Sequence, residues 1–129
     1  MPIVWYEDLA VGLPEVDAQH RELIKLINAL DDAIKQRQGA KALAVLIDRL
    51  VDYAKYHFAT EERLMAAHNY QHMGDHIREH EFFADKVMGI LFHSDDEENR
   101  PQAVSDFLHK WLIEHIGTVD KLMGECLAV

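Results

Sequence analysis

LAVLIDRLVDYAKYHFATEERLM, residues 43–65, is the stretch whose reading decides the fold. Leu43, Leu46, Ile47, Leu50, Ala54, Leu64 and Met65 recur at helical spacing and lay one apolar stripe along a long helix. The stripe does not stay apolar. His57 and Glu61 fall on it, four residues apart, so both project from one helix face on successive turns, about 6 Å apart along the axis.

The pattern repeats on either side. Upstream, Asp17 is suited to cap a helix. Its stripe is His20, Leu23, Ile24, Ile27, Leu30 and Ile34, with Lys35, Arg37 and Gln38 toward water and Gly39 as its stop. Downstream, a segment from about Tyr70 to His93 carries Met73, His76, Ile77, His80, Phe83, Val87, Met88 and Leu91 on one side. An acidic stretch, Ser94-Asp95-Asp96-Glu97-Glu98-Asn99, reads as a solvated loop. Pro101 then suits the first position of a fourth helix with the stripe Val104, Phe107, Leu108, Trp111, Leu112, His115 and Val119. Residues 1–16 hold two of the three prolines and Gly12, and read as an irregular N-terminal arm. Nothing alternates with period two for long. The expectation is all-α: one domain over residues 1–129, with helices over about 18–38, 40–67, 70–93 and 101–127 in an up-down-up-down four-helix bundle.

Composition narrows the function classes. A net charge of −10 over 129 residues argues against nucleic acid and against anionic membrane surfaces, both of which call for clustered Lys and Arg. No apolar run approaches the roughly 20 residues of a membrane span, and the first residues lack the basic and apolar regions of a signal peptide. The single cysteine, Cys126, cannot pair internally, so the cytoplasm is the expected compartment. The chain ends at Val129, soon after the last helix, so a free-standing monomer without an attached signalling domain is expected.

Histidine is the anomaly: there are nine. One histidine on an apolar stripe is more often a hydrogen-bonded core residue than a ligand. Here all four stripes are interrupted. His20 lies near the start of the first helix, His57 and Glu61 near the end of the second, His76 and His80 near the start of the third, and His115 and Asp120 near the end of the fourth. Starts and ends alternate in an antiparallel bundle, so these seven side chains fall at the same end. Burying so many polar groups without a metal would cost several kcal/mol in lost hydration. Seven donors exceed the four of a tetrahedral zinc site and divide better between two ions, with carboxylates bridging. Donor softness alone does not choose among iron, manganese, cobalt and zinc. The spacing of five between His115 and Asp120 drifts about 140° around an ideal helix. That pair needs a long rotamer reach, a local distortion, or a site near the helix end. Counting alone also permits His72 to pair with His76.

These residues resemble the hemerythrin and bacteriohemerythrin family. The likeness is carried by Val16-Asp17-Ala18-Gln19-His20, His57-Phe58-Ala59-Thr60-Glu61-Glu62, His76-Ile77-Arg78-Glu79-His80, and Trp111-Leu112-Ile113-Glu114-His115-Ile116 with Asp120. Trp5 and Gly12 resemble that family's arm, while Gln71 stands where proline often follows the tyrosine. The resemblance implies two iron ions, one held by His76, His80 and His115 and the other by His20 and His57. Glu61, Asp120 and a solvent oxo or hydroxo group would bridge them. The second iron is then one ligand short, and O2 would bind there, in a pocket formed by Ile24, Phe58, Trp111 and Leu112. The family register sets His72 aside; His68, His93 and His109 read as surface or helix-end residues, and Glu62 points about 100° away from Glu61. Three functions compete: reversible O2 binding for storage, delivery or scavenging; a di-iron oxidase or a peroxide or nitric oxide reductase; and a module sensing O2, iron or redox state for an unidentified protein partner. Ferritin-like oxidases hold their irons mainly with carboxylates. Five neutral imidazoles against two carboxylates favour the ferrous pair and hence reversible binding.

Overall fold

The computed structural model describes residues 3–93 and 98–128, and among these no strand occurs. Four helical rods form the bundle. They are α1 (Pro14–Lys35), α2 (Ala40–Ala67), α3 (Met73–His93), and a last rod made of α4 (Arg100–His115), one turn of π-helix (Ile116–Asp120) and α5 (Lys121–Leu127). Both α1 and α3 pack against α2 and α4, which gives the expected four-helix bundle. The stripes meet inside as the spacing predicts: Leu23, Ile27 and Leu30 from α1, Ile47, Leu50 and Met65 from α2, Phe83 and Val87 from α3, and Val104 and Leu108 from α4 are all buried. Met88 is an exception. The spacing sets it on the α3 stripe, but it lies exposed.

The helix boundaries depart from expectation for local reasons. α1 starts at Pro14, before Asp17, because proline's missing N–H and fixed φ suit the first turn. Asp17 does not cap α1; its carboxylate accepts from the backbone N–H of Val11 (2.8 Å) and Gly12 (3.3 Å), fastening the arm instead. Gly39 does not stop α1. Arg37 takes the left-handed conformation (φ 56°), while Gln38 N–H reaches back to Ala33 O and Arg37 N–H to Ile34 O. Asn69 (φ 51°) closes α2 in the same way, with Tyr70 N–H bonded to Met65 O. That cap consumes Tyr70, so α3 begins at Met73.

Residues of the arm are tied down. Glu7–Leu9 form a 3-10 turn, and Leu9 and Val11 are buried. Ile3 exchanges two hydrogen bonds with the Asn28 side chain, at 2.9 and 2.8 Å. Trp5 lies under the Arg21 guanidinium. Lys121 Nζ donates to Ala10 O (2.8 Å) and Asp8 O (3.2 Å), linking the arm to α5. Residues 94–97, in the acidic stretch expected to form a solvated loop, lie outside the described residues.

Candidate metal centre

His20, His57, Glu61, His76, His80, His115 and Asp120 converge at the end of the bundle where α1 and α3 begin and α2 and the fourth rod end. All seven are buried, with exposures of 0% to 4%. Their donor atoms fall into two sets, each mutually within 4.8 Å: Glu61, His76, His80, His115 and Asp120, and His20, His57, Glu61 and Asp120. Both carboxylates belong to both sets.

The two oxygens of each carboxylate divide between the sets. Glu61 Oε1 lies 3.2 Å from His76 Nε2, 2.9 Å from His80 Nε2 and 4.0 Å from His115 Nε2. Glu61 Oε2 faces the other way, 3.4 Å from His57 Nε2 and 3.7 Å from His20 Nε2. Asp120 repeats the division: Oδ1 is 3.0 Å from both His76 Nε2 and His115 Nε2, and Oδ2 is 2.9 Å from His20 Nε2.

Proximity here is not hydrogen bonding throughout. His20 Nε2, His57 Nε2, His115 Nε2, Glu61 Oε2 and both Asp120 oxygens are buried without an aligned hydrogen-bond partner, although some lie within 3 Å of one another. Lone pairs aimed at a shared third body produce this pattern, and leaving so many polar atoms unpaired otherwise costs about 1–3 kcal/mol each. The donor set thus fits metal ions, and imidazole with carboxylate suits iron.

Electrostatics point the same way. Burial alone pushes the imidazoles down, yet the Asp120 and Glu61 carboxylates outweigh it and raise His20 to about 9 and His115 to about 10; His76 is raised for the same reason. Burial would push both carboxylates up, and the Glu61 charge pushes Asp120 up further; the surrounding imidazoles nonetheless hold Glu61 and Asp120 well below the usual carboxylate range. The cluster is built to hold positive charge between two anionic groups.

The π turn explains the spacing of His115 and Asp120. Its i→i+5 pattern brings residue 120 back under residue 115. Of the three devices that spacing allowed, local distortion is the one present. Backbone dihedrals stay helical through Ile116 and Lys121, so the rod continues while its register shifts.

Among the other histidines whose side chains are described, none joins either set. His72 is half-buried beside Tyr70, and its Nε2 accepts from the Gln71 amide. His68 Nδ1 donates to Leu64 O, and His109 lines a cleft between α1 and α4 with Asp31 and Lys35. The side chain of His93 lies outside the described residues. Of the four expected pocket residues, Phe58, Trp111 and Leu112 line one wholly apolar cavity of about 10 Å³, with Leu23, Phe83 and Leu108. Ile24 is buried but does not line it. The Phe58 and Trp111 rings stack on His80 and His115, on the three-histidine side.

The sequence reading missed the partners of the outer ring nitrogens. His57 Nδ1 is 2.8 Å from Gln19 Oε1, and His80 Nδ1 is 3.0 Å from Glu62 Oε2. Glu62 therefore does not point idly away: the offset of about 100° from Glu61 aims it around α2 at His80 on α3. Thr60 joins through Gln19 Nε2, at 3.1 Å. The available signal was a polar residue directly beside a donor, Gln19 before His20 and Glu62 after Glu61.

Comparison with known proteins agrees with this geometry. The family described as "Hemerythrin HHE cation binding domain" matches residues 11–127. The chain is 36% identical over 118 residues to a bacteriohemerythrin of Pseudomonas paraeruginosa, covering 92% of this chain and 76% of that one. It is 33% identical over 119 residues to the myohemerythrin of Riftia pachyptila, covering 92% and 88%. A crystal structure of wild-type hemerythrin superposes with a TM-score of 0.79 at 28% identity, covering 100% of both chains.

Proposed function

The chain belongs to the hemerythrin family, and on that premise we propose that it binds O2 reversibly at a non-heme di-iron centre, as a carrier, store or scavenger. The observation that carries this is the division of carboxylate oxygens: one oxygen of Glu61 and one of Asp120 face each of two imidazole sets. His76, His80 and His115 would hold one iron, His20 and His57 the other, with Glu61 and Asp120 bridging alongside a solvent oxygen. When bound, the iron pair supplies the electrons and the open coordination position with which O2 is taken up and given back.

The chain's own residues favour return of intact O2 over its consumption. Five imidazoles bring no charge and two carboxylates bring two, so the pair is less anionic than in carboxylate-rich oxidases and high-valent iron is disfavoured. Phe58 and Trp111 stack on His80 and His115 and line an apolar cavity with Leu112, a wall that would keep water and its protons from the site. At about 10 Å³ the cavity they line is near the lower limit for admitting one small molecule.

The test is a cycle. Protein loaded under iron-replete conditions is expected to hold two irons per chain. Its ferrous form should change its absorption on adding O2 and recover on purging with argon. A stable ratio of one, or loss of all ferrous protein after one exposure with steady consumption of a reductant, overturns the proposal in favour of a single-metal site or an oxidase.

A further inference from the structure

Around the seven donors the supporting groups differ in charge from one side to the other. On the two-histidine side, Tyr56 O is a carbonyl and can only accept. Thr60 Oγ1 donates to it at 3.2 Å. Having spent its proton there, the Thr60 oxygen can only accept from Gln19 Nε2, at 3.1 Å. The amide is thereby oriented with Oε1 toward His57, 2.8 Å from Nδ1, so His57 Nδ1 carries the proton and Nε2 presents its lone pair to the centre. A backbone carbonyl thus sets the tautomer of His57 through three hydrogen bonds. Among the described residues, His20 Nδ1 has no hydrogen-bond partner. The two-histidine set therefore has only a neutral amide behind it. On the three-histidine side His80 Nδ1 alone is hydrogen-bonded, and its partner is a carboxylate, Glu62 Oε2 at 3.0 Å; Glu79 lies 3.9 Å from His115 Nδ1, beyond hydrogen-bond reach, and His76 Nδ1 has no partner among the described residues.

A carboxylate accepting the Nδ1 proton makes an imidazole a stronger donor and favours the more oxidised ion, whereas a neutral amide does so less. Resting on the two-iron reading, we propose that Gln19 is a positioning residue that orients His57 through the Thr60 relay and, by being neutral where Glu62 is charged, keeps the His20–His57 iron ferrous and so protects reversible binding. The side on which the charge sits is what matters, beyond its total.

Three iron-loaded variants separate these possibilities: Gln19→Glu, Glu62→Gln and the double variant, which has the wild-type charge with its sides exchanged. Gln19→Glu should lower the midpoint potential, by 59 mV for each tenfold shift in a one-electron equilibrium, and hasten irreversible oxidation in air. Glu62→Gln should raise the potential. The double variant should oxidise like Gln19→Glu; wild-type behaviour would show that only total charge counts and overturn the proposal, as would an unchanged potential in Gln19→Glu. The relay is read separately with cobalt(II) and metal-free protein, so a variant lost to misfolding does not end the test. Thr60→Val should weaken cobalt binding about 10- to 100-fold and Thr60→Ser should restore it. Equal affinities in the two would overturn the relay. Failure of the two-iron reading would appear in wild-type protein as a ratio of one, whereas failure of this proposal appears only in the variants.

Discussion

Glu61 does two jobs at one position. It answers the charge of the imidazoles around it, and it offers an oxygen to each donor set. Glu61→Ala removes both, leaving five buried imidazoles with Asp120 alone. An uncompensated buried charge costs about 3–5 kcal/mol, so we expect this variant to lose its metal and to melt well below wild type, as followed by iron analysis and circular dichroism. Leu112, 4% exposed, lines the small apolar cavity beside Phe58 and Trp111. Leu112→Ala should cost about 2–5 kcal/mol, keep its iron, and oxidise irreversibly faster in air; an unchanged oxidation rate would show that the apolar wall does not protect the site. At this scale six of the seven donors were legible because regular spacing on four stripes brought them to one layer, and Asp120 through its place near the end of the fourth helix. Gln19, Thr60 and Glu62 were not, because hydrogen bonds from α1 to α2 and from α2 to α3 follow no period along the chain.

Among the elements, the last rod is the one whose irregularity carries chemistry. Its π turn places Asp120, and the segment just beyond it is held by the arm through Lys121 and through Gly124. A Cβ on Gly124 would lie 2.0 Å from Val11 O, so Gly124→Ala must push the arm from α5. Overpacking of this kind costs about 1–3 kcal/mol. Because α5 continues directly from the π turn, we expect weaker metal retention along with the lower melting temperature, although Gly124 touches no donor. Full metal affinity in a destabilised Gly124→Ala protein would show that the arm serves stability alone. The sequence signalled trouble in this rod through the spacing of five between His115 and Asp120, and left the device open. Propensity does not distinguish a π turn from an end-of-helix site. The end of α1 and the start of α3 were misplaced where a non-glycine residue, Arg37 or Asn69, took the left-handed position, since glycine is the residue that advertises it.

Taken whole, the molecule is a bundle whose far end is ordinary apolar core and whose site end is an ion-pair network. The first was legible as stripes; the second as their interruptions. Their division has a consequence for stability against pH. In chelator-treated protein, His20 at about 9 and His115 at about 10 bind protons more tightly than the unfolded chain does, whose imidazoles titrate near 6.5. Their contribution is therefore complete below pH 6.5 and is lost as pH rises through 9 to 10. Glu61 and Asp120 are held below their ordinary values of 4.5 and 3.8, so their contribution is present above those values and is lost as pH falls. Metal-free protein should accordingly be most stable between about pH 4.5 and 6.5, and its melting temperature should fall steadily from pH 6.5 to 10. Metal ions take the place of those protons, and deprotonated imidazole is the form that binds them. Loading should raise the melting temperature most at alkaline pH and flatten that limb of the profile. Calorimetry of chelated and loaded protein across the range checks this. A chelated protein with a level melting temperature from pH 6.5 to 10 would mean that the buried imidazoles hold no protons in the fold, and that the two carboxylates are balanced in some other way.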